Sequence, residues 1–416
     1  MKAITGLLLM FAAAAFAGPS QEYWVASWTN AQPLIQQPLP PPPPPAPPGT
    51  PRQGPDPVTL SYNAHGFHDQ TVRMIVHTSI GGRRLRIRLS NPFGAAPVMV
   101  GSAHVAIHVA GSRIDPATDR TVHFDGKAGS LIGPGMVILS DPVDFAVPVQ
   151  GDVAVSLYLP GESGPPSAHN GLHTTYINSA GDDSAAAEIA GAQTTPMYYW
   201  LVGLDVPAHP ATELIVALGD SITEGWRSSY DANSSWPAVL SARLSAHKNT
   251  ARFAVANMGI GGNRLLHDGN GASALARFDR DVLGQPGVRW MSLLEGINDI
   301  GRGDTEPVTA QQLIDADRQL IDRAHEHGIK VLGCTLPPYE GARYYREEDE
   351  SKRQALNAWI RSGGAFDAVV DFDAATRDPE HPARLRPDFD PGDHLHLNDA
   401  GYRAMAESVE LSLFVK

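Results

Sequence analysis

The spacing of apolar residues changes near residue 207, and no other feature of the sequence limits the possible fold so strongly. Before it, from Val58 onward, apolar and polar residues alternate, as in Leu85, Ile87 and Leu89. A period of two is typical of strands that bury one face and expose the other. Gly and Pro residues separate these segments, and no helical pattern lies between them. We therefore expect an antiparallel, jelly-roll-like β-sandwich within residues 18–206.

Beyond residue 207, apolar strand segments alternate with helical segments. Residues 214–218 form a continuous apolar run, which is typical of a central parallel strand. Further strand patterns lie at 253–257, 290–294, 330–335 and 368–372, and helical patterns at 236–247, 272–283, 310–327, 351–362 and 398–413. This alternation predicts an α/β fold over residues 207–416, with a parallel sheet between two layers of helices.

The first seventeen residues have the pattern of a secretory signal peptide. Lys2 is followed by a short apolar run at 7–16, and Ala15-Phe16-Ala17 is a small-x-small cleavage signal. The run is shorter than the roughly 20 residues of a membrane-spanning helix. We predict an exported protein that begins at Gly18 and resides in the periplasm or outside the cell.

Proline is concentrated in one segment of the predicted sandwich domain. Residues 33–57 hold 13 of the 35 prolines, including the run 40–45. Such a segment favours polyproline II and excludes helix and sheet. We interpret it as a stiff inserted spacer, with a docking site for a proline-recognition module as the alternative.

Charge and cysteine content exclude several classes of partner. The formal net charge is −13, which argues against nucleic acid and anionic membranes. The single Cys excludes an intramolecular disulfide, and no Cys/His cluster has zinc spacing, so we predict neither metal nor cofactor. Arg84, Arg86 and Arg88 alternate with the apolar residues of one strand. We expect a solvated face there, rather than a binding surface for an anionic or sugar ligand.

Polar and glycine residues follow the predicted strands, at the sheet edge where the binding site of such a fold lies. Three of these blocks come after the first three strands, and a fourth precedes the last helix. They are Gly219-Asp220-Ser221, the glycine-rich loop 257–263, Gly296-Ile297-Asn298-Asp299 and Asp393-His394-Leu395-His396.

The four blocks hold every group that acyl transfer needs. That chemistry requires a nucleophile, a base, a group that orients the base, and donors aimed at the oxyanion. Ser221 is the candidate nucleophile and His396 the candidate base, with Asp393 three residues before it to orient the ring. The backbone N–H groups of Ser221 and Gly262 and the side-chain amide of Asn298 are the candidate oxyanion hole.

Each assignment has a structural alternative. Ser221 could serve only as a helix N-cap, and the glycines only as a tight turn. His394 is adjacent to Asp393 and its side chain diverges from it, so we favour His396 as the base. We expect Asp220 and Asp299 to hold their loops through backbone hydrogen bonds. The α/β-hydrolase class needs a G-x-S-x-G elbow, and Thr223 occupies the position of its second glycine.

The four ordered blocks resemble those of the SGNH or GDSL hydrolases, over roughly residues 212–416. A departure is Leu397, where many members have proline after the histidine. The resemblance implies a flavodoxin-like three-layer α/β/α domain, hydrolysis of esters or thioesters without metal, and the same five residues in the same roles. The segments 79–82 and 90–94 resemble the β-sandwich that precedes this domain in a secreted bacterial subfamily.

These observations together predict a secreted serine esterase that forms an acyl-enzyme on Ser221. The expected partner is a small-molecule or polysaccharide ester, with deacetylation of a polysaccharide and hydrolysis of short-chain or lipid esters both open. The alternative is a carbohydrate-binding or adhesion protein whose hydrolase-like domain is inactive.

Overall fold

The fold is described from a computed structural model. It describes residues 22–34, 57–303 and 305–415, without the side chains of Pro57, Val58 and Leu60. The predicted signal peptide, residues 1–17, and most of the predicted Pro-rich insertion lie outside the described residues.

The N-terminal region consists mainly of antiparallel strands. One α-helix of its described residues, α1, spans Pro57–His65, and a 3₁₀ turn spans Pro116–Thr118. The strands are β1 (Trp24–Thr29), β2 (Gln70–Thr78), β3 (Gly82–Ser90), β4 (Val98–Val100), β5 (Ser102–Ala110), β6 (Arg113–Ile114), β7 (Arg120–Val122), β8 (Ser130–Ile132), β9 (Val137–Leu139), β10 (Val143–Val147), β11 (Gly151–Leu159), β12 (Ala168–Ile177), β13 (Gln193–Tyr199) and β14 (Leu201–Pro207).

These strands form two main sheets. One has the order β1-β14-β3-β10, with β9 beside β3, and the other has the order β13-β12-β2-β11-β5-β6, with β7 beside β5. Leu85 and Ile87 of the first sheet and Val153 and Val155 of the second are fully buried in one apolar cluster. The predicted antiparallel sandwich is confirmed, because alternate residues of both sheets face this common core.

Helix α1 differs from the expectation of a region without helices. Thr59 and Thr195 share a hydrogen bond of 2.7 Å, and the hydroxyl of Tyr62 donates to Gln193 Oε1 at the same distance. The Tyr62 ring also stacks on Phe67, with 4.7 Å between centroids. A helix of nine residues has little stability of its own, so contacts with β13 hold it, and such contacts leave no periodic pattern in the sequence.

The arginine face of β3 is not the solvated face that we expected. Arg86 and Arg88 both contact the fully buried carboxylate of Asp205, at 3.0 and 3.1 Å. Arg88 also donates to Gln285 Oε1 of the C-terminal region at 2.8 Å. Strand β14 lies beside β3 and brings Asp205 opposite Arg86. The face is therefore partly an internal ion pair and partly a contact between the two regions.

The C-terminal region has a five-stranded parallel sheet with the order β16-β15-β17-β18-β19. Numbered within this region the order is 2-1-3-4-5, that of the flavodoxin-like fold, so the predicted fold class is confirmed. The strands are β15 (Glu213–Gly219), β16 (Phe253–Gly259), β17 (Val288–Leu294), β18 (Lys330–Cys334) and β19 (Ala368–Val370).

Two groups of helices accompany this sheet. In one, α9 contacts α3 and α8, and in the other α6 contacts α4 and α7 while α5 contacts α7. A π-turn at Asp279–Leu283 extends α4, and a 3₁₀ turn at Leu411–Phe414 follows α9. The helices are α2 (Ser221–Glu224), α3 (Trp236–Ala246), α4 (Ala274–Phe278), α5 (Ile297–Gly301), α6 (Ala310–Glu326), α7 (Glu347–Ser362), α8 (Phe372–Thr376) and α9 (Asp399–Ser408).

The sandwich packs directly on the α/β domain. Strand β1 lies next to β16, and the N–H of Ala26 donates to the carbonyl of Pro286 at 3.0 Å. Gly287 has a positive φ and approaches Val25 so closely that an added Cβ would lie 2.8 Å from a valine methyl group. This close approach brings the sandwich to the edge of the second domain.

Candidate active site

Ser221 lies at the carboxyl end of the central strand β15, as the first residue of α2. Asp220 is the N-cap of this helix, and its Oδ1 accepts the N–H of Ile222 at 2.8 Å. The alternative that Ser221 merely caps the helix is therefore wrong. With the cap supplied by its neighbour, the Ser221 hydroxyl is available for another partner.

That partner is His396. The Oγ of Ser221 lies 2.9 Å from His396 Nε2, and His396 Nδ1 lies 3.0 Å from Asp393 Oδ2. Asp393 Oδ1 also accepts the backbone N–H of His396, which closes the turn before α9. His394, the neighbouring histidine, instead pairs with Asp390 and has a half-exposed side chain.

Asp393 determines which ring nitrogen of His396 carries the proton. Burial raises the pKa of Asp393, but hydrogen bonds from His396 and from Arg227 outweigh burial and hold the pKa well below its ordinary range. The ionised carboxylate accepts the Nδ1–H of His396, so the hydrogen-bond network assigns a lone pair to Nε2. That lone pair faces the hydroxyl of Ser221.

The three predicted oxyanion donors line the same cavity as Ser221 and His396, whose volume is about 640 Å³. Gly262 has a φ of 70°, a conformation that favours glycine. The Asn298 amide donates to the carbonyl of Asn263 at 2.9 Å, and the hydroxyl of Tyr344 lies 3.4 Å from Asn298 Oδ1. The cavity thus collects donors and the hydroxyl of Ser221 at one place.

The sandwich supplies one wall of this cavity. Pro166, Ala168 and Met197 contribute apolar surface, and Asn170 contributes a side-chain amide. Sequence reasoning did not identify these wall residues, because nothing in the pattern of β12 or β13 distinguishes a residue that faces another domain. The α/β domain completes the cavity with Trp226, Arg227, Ile260, Asn270, Ala342, Arg343, Tyr344 and Leu395.

A buried arginine under the site was also missed. Arg277 donates to the carbonyl of Gly219 at 2.8 Å and to that of Met258 at 2.7 Å, and it pairs with Asp281 and Glu295. These carbonyls lie at the ends of β15 and β16, the strands before Ser221 and the glycine loop. Arg277 therefore ties the two strand ends together, a role that its place on α4 did not reveal.

The two aspartates that we expected to be structural hold their loops through backbone groups. Asp299 accepts the N–H groups of Leu265 and Leu266 at 2.7 and 3.0 Å. Asp220 is completely buried, which raises its pKa to about 7, with the charges of Glu224 and Asp299 adding to the effect. The site therefore contains one strongly ionised carboxylate, Asp393, and a carboxyl group under Ser221 that resists ionisation.

Across residues 22–34, 57–303 and 305–415, no group of three His, Cys, Asp or Glu side chains could hold a metal ion. In the same ranges, no helix has both the length and the apolar character needed to cross a membrane.

The fold and the blocks at its strand ends define the class of protein, a carboxylic-ester hydrolase with an SGNH-type domain. Residues 217–404 match the family described as GDSL-like lipase/acylhydrolase. Among curated proteins, none matches the chain.

Several solved structures are similar to about half of the chain. One is a GDSL-like lipase from Bacteroides thetaiotaomicron, with 20% identity over 50% of this chain and 90% of that chain and a TM-score of 0.39. Another is an acetylxylan esterase from Geobacillus stearothermophilus, with 22% identity, coverages of 49% and 94%, and a TM-score of 0.38. A third is a hydrolase from the metagenome of Lake Arreo, with 22% identity, coverages of 50% and 97%, and a TM-score of 0.38.

Proposed function

We propose that the protein hydrolyses carboxylic esters through an acyl-enzyme on Ser221. The observation that supports this most is the unbroken chain of hydrogen bonds from Ser221 Oγ through His396 to Asp393, which opens into the cavity. A serine activated in this way is a nucleophile, because the histidine accepts its proton during attack.

In the first step, Ser221 Oγ bonds to the ester carbonyl carbon while His396 Nε2 takes the hydroxyl proton. The carbonyl oxygen becomes an oxyanion that accepts from the N–H groups of Ser221 and Gly262 and from the amide of Asn298. Each such donor lowers the barrier by roughly 3–4 kcal/mol. The bond to the alcohol then breaks, and His396 returns the proton to the leaving oxygen.

In the second step, water replaces the alcohol. His396 takes one proton from the water as its oxygen bonds to the acyl carbon, and the same donors stabilise the second oxyanion. The bond to Ser221 then breaks, Oγ recovers its proton from His396, and the carboxylic acid leaves. Asp393 remains ionised throughout and stabilises the imidazolium that forms in both steps.

We further propose a short acyl group, with acetylated polysaccharides among the substrates. The cavity combines an apolar wall from Pro166, Ala168 and Met197 with the side-chain amides of Asn63, Asn170 and Asn270. A mixed lining of this kind suits a substrate with hydroxyl groups on one side and an acyl group on the other. Hydrolysis of longer lipid esters is the competing substrate class.

The proposal includes export from the cytoplasm, which the pattern of residues 1–17 supports. Expression in a Gram-negative host, followed by N-terminal sequencing of the exported protein, tests this. We expect the sequence to begin at Gly18, and an exported chain that begins at Met1 would contradict it.

The test of function compares wild type, Ser221→Ala and Ser228→Ala with p-nitrophenyl acetate. Ser228 is a matched control, because it is a buried serine seven residues later that does not contact His396. We expect Ser221→Ala to lose activity by about 10³-fold or more, and Ser228→Ala to keep it. Equal rates in all three proteins would exclude the esterase function and favour the non-catalytic, carbohydrate-binding alternative.

Two further measurements refine the result. A fluorophosphonate should add once to wild type and not to Ser221→Ala, as read by mass spectrometry of the intact protein. Rates with p-nitrophenyl acetate, butyrate and octanoate, together with acetate release from an acetylated hemicellulose, separate the substrate classes. A rate that rises steadily towards octanoate, without acetate release, would replace the short-acyl proposal by a lipid-ester one.

A further inference from the structure

We propose that His169, a residue of the β-sandwich, is a positioning residue of the hydrolytic reaction: it holds Glu224 against the glycine loop and so orients the Gly262 N–H. This inference rests on the proposed function of Ser221 and Gly262. It gives the sandwich a part in the chemistry itself, beyond lining the cavity.

The histidine is held at both ring nitrogens. His169 lies on β12 and is buried, with Nε2 2.8 Å from Glu224 Oε1 and Nδ1 2.6 Å from Asn30 Oδ1. The amide nitrogen of Asn30 donates to the carbonyl of Leu201, so its oxygen faces the ring. With an acceptor at each nitrogen, the ring has a single orientation.

Glu224 connects His169 to the glycine loop. Its Oε1 also accepts the N–H of Gly261 at 3.3 Å, and its Oε2 is so near that a Cβ on Gly261 would lie 3.1 Å away. The carbonyl of Gly261 is held from the other side by the amide of Asn270 at 2.9 Å. Both backbone polar groups of Gly261 therefore have fixed partners.

Fixing Gly261 fixes the donor that follows it. In a planar trans peptide, the carbonyl of one residue and the N–H of the next point in opposite directions. Because the Gly261 carbonyl points at Asn270, the Gly262 N–H must point away from Asn270. The Gly261 N–H belongs to the preceding peptide, which is joined to this one at the Gly261 Cα. Loss of the Glu224 contact frees that preceding peptide and so loosens Gly261, and the Gly262 N–H would spend less time aimed at an oxyanion.

Glu224 also connects the loop to the nucleophile. It is the last residue of α2 and Ser221 is the first, so one short helix carries both the attacking oxygen and the carboxylate that holds the loop. A buried carboxylate is stable only with partners, and His169 supplies the one charge-compatible side chain that contacts it in the described part of the chain. His169 and Glu224 line the cavity that contains Ser221.

His173 provides a matched control. It lies on the same strand, is equally buried, and makes an equivalent contact across the domains, from Nε2 to Asn233 Oδ1 at 2.8 Å. It lines a smaller cavity of about 110 Å³, which His169 and Glu224 also line, but not the cavity that contains Ser221, and its polar partners are Asn233 and Asp231. A loss caused only by weaker docking of the sandwich should affect both histidines alike.

The experiment measures kcat, KM and Tm of His169→Ala, His169→Gln, His173→Ala and His173→Gln in the full chain, with p-nitrophenyl acetate. We expect His169→Ala to lower kcat roughly 10- to 100-fold with little change in KM, which is less than the loss of a donor outright. His169→Gln should recover part of this, because its amide can donate to Glu224. Both His173 variants should keep kcat within about twofold of wild type, whatever their Tm.

A second readout isolates the oxyanion hole. Phenylboronic acid forms a tetrahedral adduct on an active serine, and its inhibition constant should rise in His169→Ala by about the factor that kcat falls. An unchanged kcat in His169→Ala, or an equal fall in His173→Ala, would overturn the proposal. If His169→Ala does not fold, the two glutamine variants decide by the same criterion. Failure of the proposed function is a separate outcome, because wild type would then be inactive or Ser221→Ala would stay active.

Discussion

Two histidine–carboxylate pairs flank the same cavity. They differ in the group that contacts the second ring nitrogen of each histidine. His396 and Asp393 come from one turn, three residues apart, and the second nitrogen of His396 faces the hydroxyl of Ser221. His169 and Glu224 come from two domains, 55 residues apart, and the second nitrogen of His169 faces the acceptor oxygen of Asn30. A histidine whose second ring nitrogen faces a hydroxyl can accept and return that proton. A histidine with an acceptor oxygen at both ring nitrogens can only fix the positions of those two acceptors.

Burial agrees with this difference. The side chains of His396 and Asp393 are 13% and 23% exposed and face the cavity, while those of His169 and Glu224 are 8% and 6% exposed. A base in catalysis must reach substrate and water, and a positioning pair gains from their exclusion. A histidine paired with a carboxylate therefore has a different role in each place, depending on solvent access and on the group at the other ring nitrogen.

The largest expected effect is at the first pair. Asp393→Asn should lower kcat about 10³- to 10⁴-fold, because an amide that donates to His396 Nδ1 favours the wrong tautomer and leaves no lone pair for Ser221. Asp390→Asn is the matched control, since Asp390 pairs with His394 in the same loop. Steady-state kinetics with p-nitrophenyl acetate check this, and equal losses in the two variants would remove the distinction between the histidines.

The next largest expected effect is at the oxyanion hole. Asn298→Ala should lower kcat about 10²- to 10³-fold with KM nearly unchanged, because its amide acts on the oxyanion and not on the ground-state ester. Tyr344→Phe removes only the hydroxyl 3.4 Å from Asn298 Oδ1 and should cost less than tenfold. If instead KM rises and kcat is kept in Asn298→Ala, Asn298 is a substrate-binding residue and no oxyanion donor.

The first pair was accessible to sequence reasoning and the second was not. Asp393 and His396 are three residues apart, so their pairing follows from their spacing, and the strand pattern brings Ser221, Gly262 and Asn298 to one edge of the sheet. His169 carries no such mark, because its partner depends on how the sandwich docks. Helix α1 and the pairing of Asp205 with Arg86 were missed for the same reason, since both depend on contacts between distant segments.

A smaller effect is expected where the sandwich lines the cavity. Ala168→Trp adds an indole to the sandwich wall of the cavity, so it should raise KM for p-nitrophenyl butyrate about tenfold and leave acetate less affected. Ala110→Trp, at an exposed end of β5, is the control for a bulky residue on the sandwich. Unchanged selectivity in Ala168→Trp would show that substrate does not reach this wall.

The smallest expected effect is on thermal stability and concerns the buried carboxyl group of Asp220. Burial raises the pKa of Asp220 to about 7, so its contribution to folding is complete below its ordinary pKa near 4 and is lost as the pH rises through 7. Asn keeps an acceptor for the Ile222 N–H and does not titrate. Asp220→Asn should therefore gain Tm relative to wild type as the pH rises from 5 to 8, by a few degrees, since about 1 kcal/mol corresponds to roughly 2–4 °C in a domain of this size.

Asp281 supplies the opposite control for thermal unfolding at each pH. It is also buried, which works to raise its pKa, but the charges of Arg280 and Arg277 and their hydrogen bonds outweigh burial and lower it. Its contribution is thus present throughout pH 5–8 and is lost only in acid, so Asp281→Asn should lower Tm by a constant amount over this range. If the Tm difference between Asp220→Asn and wild type were also constant over this range, Asp220 would be ionised throughout it. A carboxylate beneath Ser221 would then remain charged without a histidine partner.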